Sequence, residues 1–267
     1  MLKRILTSRV YDVVSETPLD RATKLSRMLG NEVLLKREDT HPGVFSFKIR
    51  GAYNRMAQLS DAERKRGVIA ASAGNHAQGV ALAAQKLGVR AVIVMPRTTP
   101  DIKVSAVAAR AAEVVLEGDS YDDAYEHARK LEAEQGLVFV HPYDDLDVIA
   151  GQGTVAMEIF RKHRGAIDAI FVPVGGGGLI AGIAAYTKAL YPHVAVIGVE
   201  PEDAACLHEA LTRGERFVLP RVGLFADGVA VKQIGALPFE IARSSVDEVV
   251  RVNTDEICAG IRDVFEA

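Results

Sequence analysis

The chain has 267 residues and a formal net charge of -3, with 49% hydrophobic and 25% charged residues. These values are typical of a soluble globular protein of one large or two modest domains. Because no basic stripe or long run of like charge occurs, neither nucleic acid nor an anionic membrane surface is an expected partner. Residues 169–187 carry no charge, but Pro173 and four glycines interrupt them, so we predict no membrane span.

In chain order, the middle of the sequence alternates short β-branched runs with longer helical patterns. Strands are predicted at residues 67–72, 91–95, 113–116, 138–140, 169–174 and 194–199, and helices at residues 49–59, 76–87, 102–112, 121–135 and 179–190. Short strands that alternate with helices predict an α/β fold with parallel sheets covered on both faces, in two three-layer αβα domains.

Two boundaries divide this pattern, one near Gly51 and one within residues 144–149. Residues 51–147 contain enough strands for a sheet of their own, so we predict a smaller inserted domain there. Residues 1–50 and 148–267 would then form one larger domain, and the cleft between such domains is a common ligand site.

The two cysteines, Cys206 and Cys258, belong to no Cys/His cluster with metal-ligand spacing, so no metal site is predicted. The first 14 residues lack a long apolar core and a small-residue cleavage site. We therefore expect no secretory signal and a cytoplasmic location.

Four consecutive glycines, Gly175, Gly176, Gly177 and Gly178, follow a predicted strand and precede a helix that continues from Leu179. Glycines let the backbone approach a ligand closely, and the free N–H groups of a helix start favour an anion. This loop predicts a phosphate site. Residues 176–181 also satisfy the short dinucleotide motif G-x-G-x-x-A, with Glu200 as a candidate ribose-binding acid, so an NAD-binding oxidoreductase remains an alternative on this loop alone.

Lys48 lies in the segment Ser46-Phe47-Lys48, just after a turn-prone His-Pro-Gly and at the start of a predicted helix. Ser46 is a candidate cap for that helix. A cation in the first helical turn is disfavoured, and burial would lower its pKa further. A less protonated amine is what a lysine needs in order to attack a carbonyl group.

A third polar loop, residues 72–79, also lies between a predicted strand and a helix. Ser72, Ala73, Gly74, Asn75 and His76 form its first part. Backbone N–H groups at this helix start could hold a substrate carboxylate, and Asn75 could bond a ring oxygen. A histidine such as His76 is more often structural than catalytic.

Taken together, these residues resemble the fold-type II pyridoxal-phosphate (PLP) enzymes, and most closely their biosynthetic threonine dehydratases. The resemblance covers essentially the whole chain and depends on six ordered motifs. They lie at residues 36–39 (KRED), 46–53 (SFKIRGAY), 72–79 (SAGNHAQG), 150–154 (AGQGT), 172–179 (VPVGGGGL) and 220–232 (PRVGLFADGVAVK).

The resemblance implies a role for each matching position. Lys48 would carry the PLP cofactor and act as the base at the substrate Cα. Residues 72–76 would bind the carboxylate of an amino-acid substrate, and the reaction would release 2-oxobutanoate and ammonia from threonine, as in isoleucine biosynthesis. The cofactor would be held by Phe47 and Gly228 at its ring, by Asn75 at its 3′-oxygen, and by Gly175, Gly176, Gly177, Gly178 and the Leu179 amide at its phosphate.

Two departures from the family pattern accompany this resemblance. Residues 41–45 form a connection one residue longer than usual. Relatives also continue beyond Ala267 into segments that complete the cofactor site, so we interpret the chain as a fragment of a homo-oligomeric enzyme. Serine racemase, degradative serine/threonine dehydratase and a folded but inactive binding module remain alternatives.

Overall fold

The computed structural model describes residues 1–266, which form two parallel β-sheets joined by long helices. The N-terminal region begins with helix α1 (Leu2–Leu6). Strands β1 (Leu19–Arg21) and β2 (Leu34–Lys36) pair antiparallel around helix α2 (Thr23–Leu29). Helix α3 (Lys48–Ala57) and helix α4 (Asp61–Arg66) then lead into the first parallel sheet.

The first parallel sheet has four strands, and all four lie within residues 68–139. Their spatial order is β5-β4-β3-β6. The strands are β3 (Val68–Ala71), β4 (Ala91–Met95), β5 (Glu113–Leu116) and β6 (Val138–Phe139), connected by helices α5 (Asn75–Leu87), α6 (Asp101–Ala108) and α7 (Tyr121–Gln135). The central strands β3 and β4 are short, apolar and buried on both faces, as expected for the middle of a parallel sheet, whereas the outer strands β5 and β6 are only partly buried.

The second parallel sheet has three strands in the order β7-β8-β9. Helix α8 (Leu146–Lys162) crosses from the first sheet to the second and packs against α3 and α9. On strand β7, Ile170 and Val172 are buried, whereas Phe171 is 64% exposed on the other face. The elements of this region are β7 (Ala169–Pro173), α9 (Gly178–Leu190), β8 (Ala195–Pro201), α10 (Cys206–Arg213), α11 (Ala236–Ser245), β9 (Glu248–Val252) and α12 (Thr254–Phe265).

The predicted α/β class with parallel sheets is confirmed, and β4, β5 and α7 have the predicted bounds. Helix α6 ends earlier than predicted because the chain turns there, and Ala111 adopts a left-handed backbone with φ 59°. The domain division stays a prediction, although every strand of the four-stranded sheet falls within the proposed insert. Within residues 1–266, none of the helices combines the length and hydropathy that crossing a bilayer requires.

Candidate active site

Lys48 is the first residue of α3, and its side chain points toward the connection between β6 and α8. The N-cap of α3 is Phe47, so the prediction that Ser46 caps this helix is wrong by one residue. The Ser46 hydroxyl still accepts a hydrogen bond from the Lys48 backbone N–H at 3.3 Å. Lys48 Nζ donates a hydrogen bond to the carbonyl oxygen of Pro142 at 3.1 Å. Gly79 of α5 faces the first turn of α3, because a Cβ added at Gly79 would lie 3.3 Å from the Lys48 carbonyl carbon. The close approach of α5 therefore depends on Gly79 lacking a side chain.

Burial controls the protonation of Lys48. Desolvation lowers the pKa of its amine from 10.5 to about 8, although the residue keeps partial solvent exposure. Lys48 Nζ lies 5.3 Å from the centroid of the Phe47 ring, so the predicted ring-binding phenylalanine is beside the amine. A substantial fraction of the amine is unprotonated just above neutral pH, as nucleophilic attack on a carbonyl requires.

Replacement of Lys48 by methionine is expected to stabilise the cofactor-free protein at pH 7. Both folded and unfolded states are protonated there, and the folded state bears the cost of a desolvated ammonium, on the order of 3 kcal/mol for this pKa shift. The advantage of the variant should shrink as pH rises from about 8 to 10.5, where the folded amine is already neutral. Urea unfolding of both proteins at pH 7 and pH 10 measures the difference. Equal stabilities at pH 7 would contradict it.

The four glycines form the connection between β7 and α9. Gly177 is the N-cap of α9 with φ +89°, and Gly178 is the first helical residue. The Tyr143 side chain packs directly over the loop, because a Cβ on Gly176 would lie 2.1 Å from Tyr143 Cδ1. The first N–H groups of a helix have no acceptor within the helix, and the dipole adds positive potential there. The loop is therefore a cradle for an anion such as a phosphate ester.

We expect Gly177→Ala to reduce both stability and anion binding. The left-handed backbone disfavours a side chain by about 1–2 kcal/mol, and the new Cβ would lie 2.3 Å from Ile234 Cδ1. Gly214→Ala is the matched control, since Gly214 has φ +75° but nothing within 4 Å of the added Cβ. Urea unfolding and binding of a phosphate ester should both show a larger loss at position 177. Equal losses would mean that the loop tolerates a side chain.

The polar loop that begins at Ser72, named the asparagine loop after Asn75, connects β3 to α5. Its polar groups form hydrogen bonds with different partners. The Ser72 hydroxyl accepts the Gly74 N–H at 3.2 Å, and Asn75 is exposed as the first residue of α5. His76 is buried, and its Nε2 lies 2.8 Å from the Val140 carbonyl oxygen. Burial, and next the charge of Lys48, lower the pKa of His76 to about 3. The His76 ring is therefore neutral and structural, and its backbone N–H is the group left for an anion.

Glu200 is fully buried and unavailable to a ribose. Its two carboxylate oxygens accept the backbone N–H groups of Leu207 and His208, each at 2.8 Å, at the start of α10. Burial raises the pKa of Glu200 to about 7. Because this carboxylate caps a helix, the dinucleotide interpretation of residues 176–181 loses its ribose-binding acid.

Gly228 lies in a short 3-10 helix, Asp227–Val229, and is exposed. The following residue, Val229, approaches the glycine loop closely, since a Cβ on Gly175 would lie 3.2 Å from Val229 Cα. An ion pair at 2.6 Å joins Lys232, which follows this segment, to Asp122 in the first turn of α7. The structure thus places the predicted ring-binding Gly228 next to the anion cradle.

A buried ionic network holds the start of α3. Two sequence motifs, residues 36–39 and 46–53, contain residues of this network but did not predict their ion pairs. Arg50 is fully buried and bonds Glu38 at 2.7 Å and Glu158 at 2.5 Å, while Lys36 bonds Glu158 at 2.6 Å. Burial by itself would raise the pKa of Glu38, but hydrogen bonds from His41 and then Arg50 outweigh this and lower it to about 2. Arg50 is two residues from Lys48, so the network fixes the helix that carries the amine.

Residues 141–145 belong to the site, but no sequence motif assigned them a role there, and only residues 144 and 145 fell within the predicted domain boundary. Pro142 accepts the Lys48 hydrogen bond, Tyr143 covers the glycine loop, and Asp144 caps α11 through Ala236 and Leu237. Their density of His, Pro and Asp was a signal for a structured turn. Among residues 1–266, no group of three or more His, Cys, Asp or Glu side chains is placed to bind a metal.

The fold and this geometry define an α/β core in which a lysine of lowered pKa bonds to the Pro142–Tyr143 turn, and that turn covers a backbone anion cradle. The family model described as "Pyridoxal-phosphate dependent enzyme" matches residues 10–267, so the chain belongs to that family. The biosynthetic L-threonine dehydratase of Burkholderia multivorans is 58% identical over 99% of this chain. The match covers 53% of that relative, so the chain spans about half the length of the curated relatives it matches.

Solved structures give the same result. The processed form of threonine deaminase isoform 2 from Solanum lycopersicum has a TM-score of 0.97 and 51% identity, covering 99% of this chain and 72% of that one. Maize serine racemase has a TM-score of 0.94 and 32% identity, covering 99% and 80%. The resemblance to fold-type II PLP enzymes and biosynthetic threonine dehydratases is therefore confirmed at the level of the family and its relatives.

Proposed function

We propose that this chain is the catalytic part of an enzyme that deaminates L-threonine to 2-oxobutanoate and ammonia. L-serine would give pyruvate in the same way. The observation that carries the proposal is the hydrogen bond from Lys48 Nζ to Pro142, beside the Tyr143 ring that covers the glycine cradle. Curated relatives that are 50–58% identical to this chain bear the name threonine dehydratase, and the word biosynthetic in their names supports a role in isoleucine biosynthesis.

The residues of the site fit PLP. The unpartnered N–H groups at the start of α9 suit its phosphate, and the Lys48 amine suits its aldehyde. When bound, PLP supplies an electron sink that stabilises negative charge at the substrate Cα. We propose that Gly175, Gly176, Gly177, Gly178 and the Leu179 amide hold the phosphate, that Asn75 bonds the 3′-oxygen, and that Phe47 and Gly228 lie against the ring.

This chain's residues would then perform binding and proton transfer. Within residues 72–76, the Ser72 N–H donates to Val94 and the Gly74 N–H to the Ser72 hydroxyl oxygen, so the N–H groups of Ala73, Asn75 and His76, with the Ser72 hydroxyl, would bind the substrate carboxylate. The lowered pKa would let Lys48 accept the Cα proton near neutral pH. Loss of the β-hydroxyl and hydrolysis of the C–N bond convert one threonine into one 2-oxobutanoate and one ammonia. The water lost in the first step balances the water consumed in the second.

The domain and assembly predictions complete the proposal. We propose that residues 51–147 form an inserted domain and that residues 1–50 and 148–267 form the larger one, with the site between them. The two separate parallel sheets support this division. A homo-oligomer of the complete protein and a cytoplasmic location stay predictions.

Reduction with borohydride in the presence of PLP tests the proposal. We expect an absorption band from the lysine linkage, and peptide mapping after reduction should find the cofactor on Lys48. The protein should then form 2-oxobutanoate from L-threonine. Attachment to a different lysine would overturn the site assignment, which depends on the lowered pKa of Lys48 and on its hydrogen bond to Pro142.

The same assay separates the alternatives by their products. Formation of D-serine from L-serine, without keto acid, would instead favour a serine racemase. The TM-score of 0.94 to maize serine racemase is the observation that supports this alternative. Cofactor attachment without either product would favour an inactive binding module.

A further inference from the structure

The turn that receives Lys48 is held together by a histidine side chain. His141 Nδ1 accepts two backbone hydrogen bonds, from the Tyr143 N–H at 3.3 Å and from the Asp144 N–H at 2.8 Å. An imidazole nitrogen can accept hydrogen bonds only when it carries no proton. These two bonds bend the chain around Pro142, whose carbonyl oxygen lies 3.1 Å from Lys48 Nζ.

The same turn also reaches the anion cradle. The Asp144 carboxylate accepts the N–H groups of Ala236 and Leu237 at 2.9 and 2.8 Å, which caps α11. Just before that helix, the Gly235 N–H donates to the Gly176 carbonyl oxygen at 3.2 Å. The turn therefore connects the amine on one side of the site to the glycine loop on the other.

The surroundings of His141 keep Nδ1 available as an acceptor. Its ring contacts the Tyr143 ring edge-on, with centroids 4.6 Å apart. Burial, opposed by the charges of Asp144 and Asp145, lowers the pKa of His141 to about 4. The positive charges of Lys48 and Arg129 act in the same direction as burial. At neutral pH the imidazole is therefore uncharged.

We propose that His141 is a positioning residue for Lys48, acting through the two hydrogen bonds that its Nδ1 accepts within the 141–144 turn. They aim the Pro142 carbonyl at the amine and so hold the lysine in the cleft. The inference rests on the proposed function, in which Lys48 is the cofactor lysine. It assigns His141 no contact with substrate or cofactor.

Two substitutions separate the hydrogen-bond acceptor of His141 from the rest of its ring. The Asn side-chain oxygen accepts N–H groups two and three residues on, so His141→Asn can preserve the turn. His141→Leu fills similar space and offers no acceptor. His193→Leu, at an exposed position after α9, controls for removal of a histidine elsewhere.

The readout is the acetylation rate of Lys48 by acetic anhydride at pH 8, measured by peptide mass spectrometry in the cofactor-free protein. Exposed Lys86 on α5 provides the internal reference. Loss of a hydrogen bond to a charged group frees the amine, so we expect Lys48 of the leucine variant to react about tenfold faster than in the unmodified protein. The asparagine and His193→Leu proteins should remain within about twofold.

Several outcomes would overturn the proposal. Equal acceleration in the asparagine and leucine variants would assign the effect to ring packing, and no acceleration in the leucine variant would show that the turn does not depend on His141. If the leucine variant lacks a cooperative unfolding transition, His141→Gln replaces it, because its amide oxygen lies one methylene too far for the turn.

The acetylation readout needs neither PLP nor turnover. It can therefore fail while borohydride still attaches the cofactor to Lys48, or succeed while no keto acid forms. Failure of this inference and failure of the proposed function are distinguishable.

Discussion

Lys48→Ala is expected to abolish covalent attachment of PLP and to lower the rate of 2-oxobutanoate formation by about a thousandfold or more. A positioned base contributes roughly 10²–10⁴ to a proton-transfer step, and this variant also loses the amine that binds the aldehyde. The anion cradle should survive the change. The α9 start and its Tyr143 cover make no use of the lysine side chain, so the variant should still bind PLP without a covalent bond.

Three measurements check this prediction: the visible absorption band with PLP, the mass of the borohydride-treated protein, and keto-acid formation from L-threonine. Lys86→Ala is the control, because Lys86 is an exposed lysine on α5. It should match the unmodified protein in all three. If the Lys48→Ala protein still carries PLP after borohydride reduction, a different lysine of the chain is the reactive one.

Arg50→Met should destabilise the folded protein by about 3–5 kcal/mol, because it removes one partner from a buried ionic network. Glu38 and Glu158 would each lose hydrogen bonds from the guanidinium, and Lys36 alone would remain to pair with Glu158. Since Arg50 lies two residues after Lys48, attachment of PLP should weaken as well. Urea unfolding and PLP titration measure the two effects.

Arg37→Met is the matched control, since Arg37 pairs with Asp39 and Asp20 at the exposed surface. Its stability should change far less. The dependence of the unfolding free energy on acidic pH gives a second check. The pKa of Glu38 is lowered to about 2, so its contribution is present above its ordinary value of 4.5 and is lost as pH falls toward 2. That acid-dependent loss should be smaller in Arg50→Met. Equal effects of the two substitutions would show that the network adds no stability.

Local patterns in the sequence were sufficient for the α/β class and for the loops that carry the chemistry. Short β-branched runs favour strands, so β4 and β5 were predicted with their observed bounds, although only β4 is buried on both faces. Helix α8 was missed, because Gly151 and Gly153 weaken its helical signal. Its stability comes from packing against α3 and α9, which no local pattern records.

By itself, the sequence determined which residue types were available: a lysine at a helix start, four glycines after a strand, and an asparagine loop. Only the tertiary structure decided which polar groups meet. Arg50 and Glu158 are separated by 108 positions, and Lys48 finds its acceptor 94 positions away. Glu200, a candidate ribose ligand by spacing, instead caps α10. Spacing constrains neighbours within a turn or two, whereas the partner of a buried charge depends on how whole helices and sheets pack.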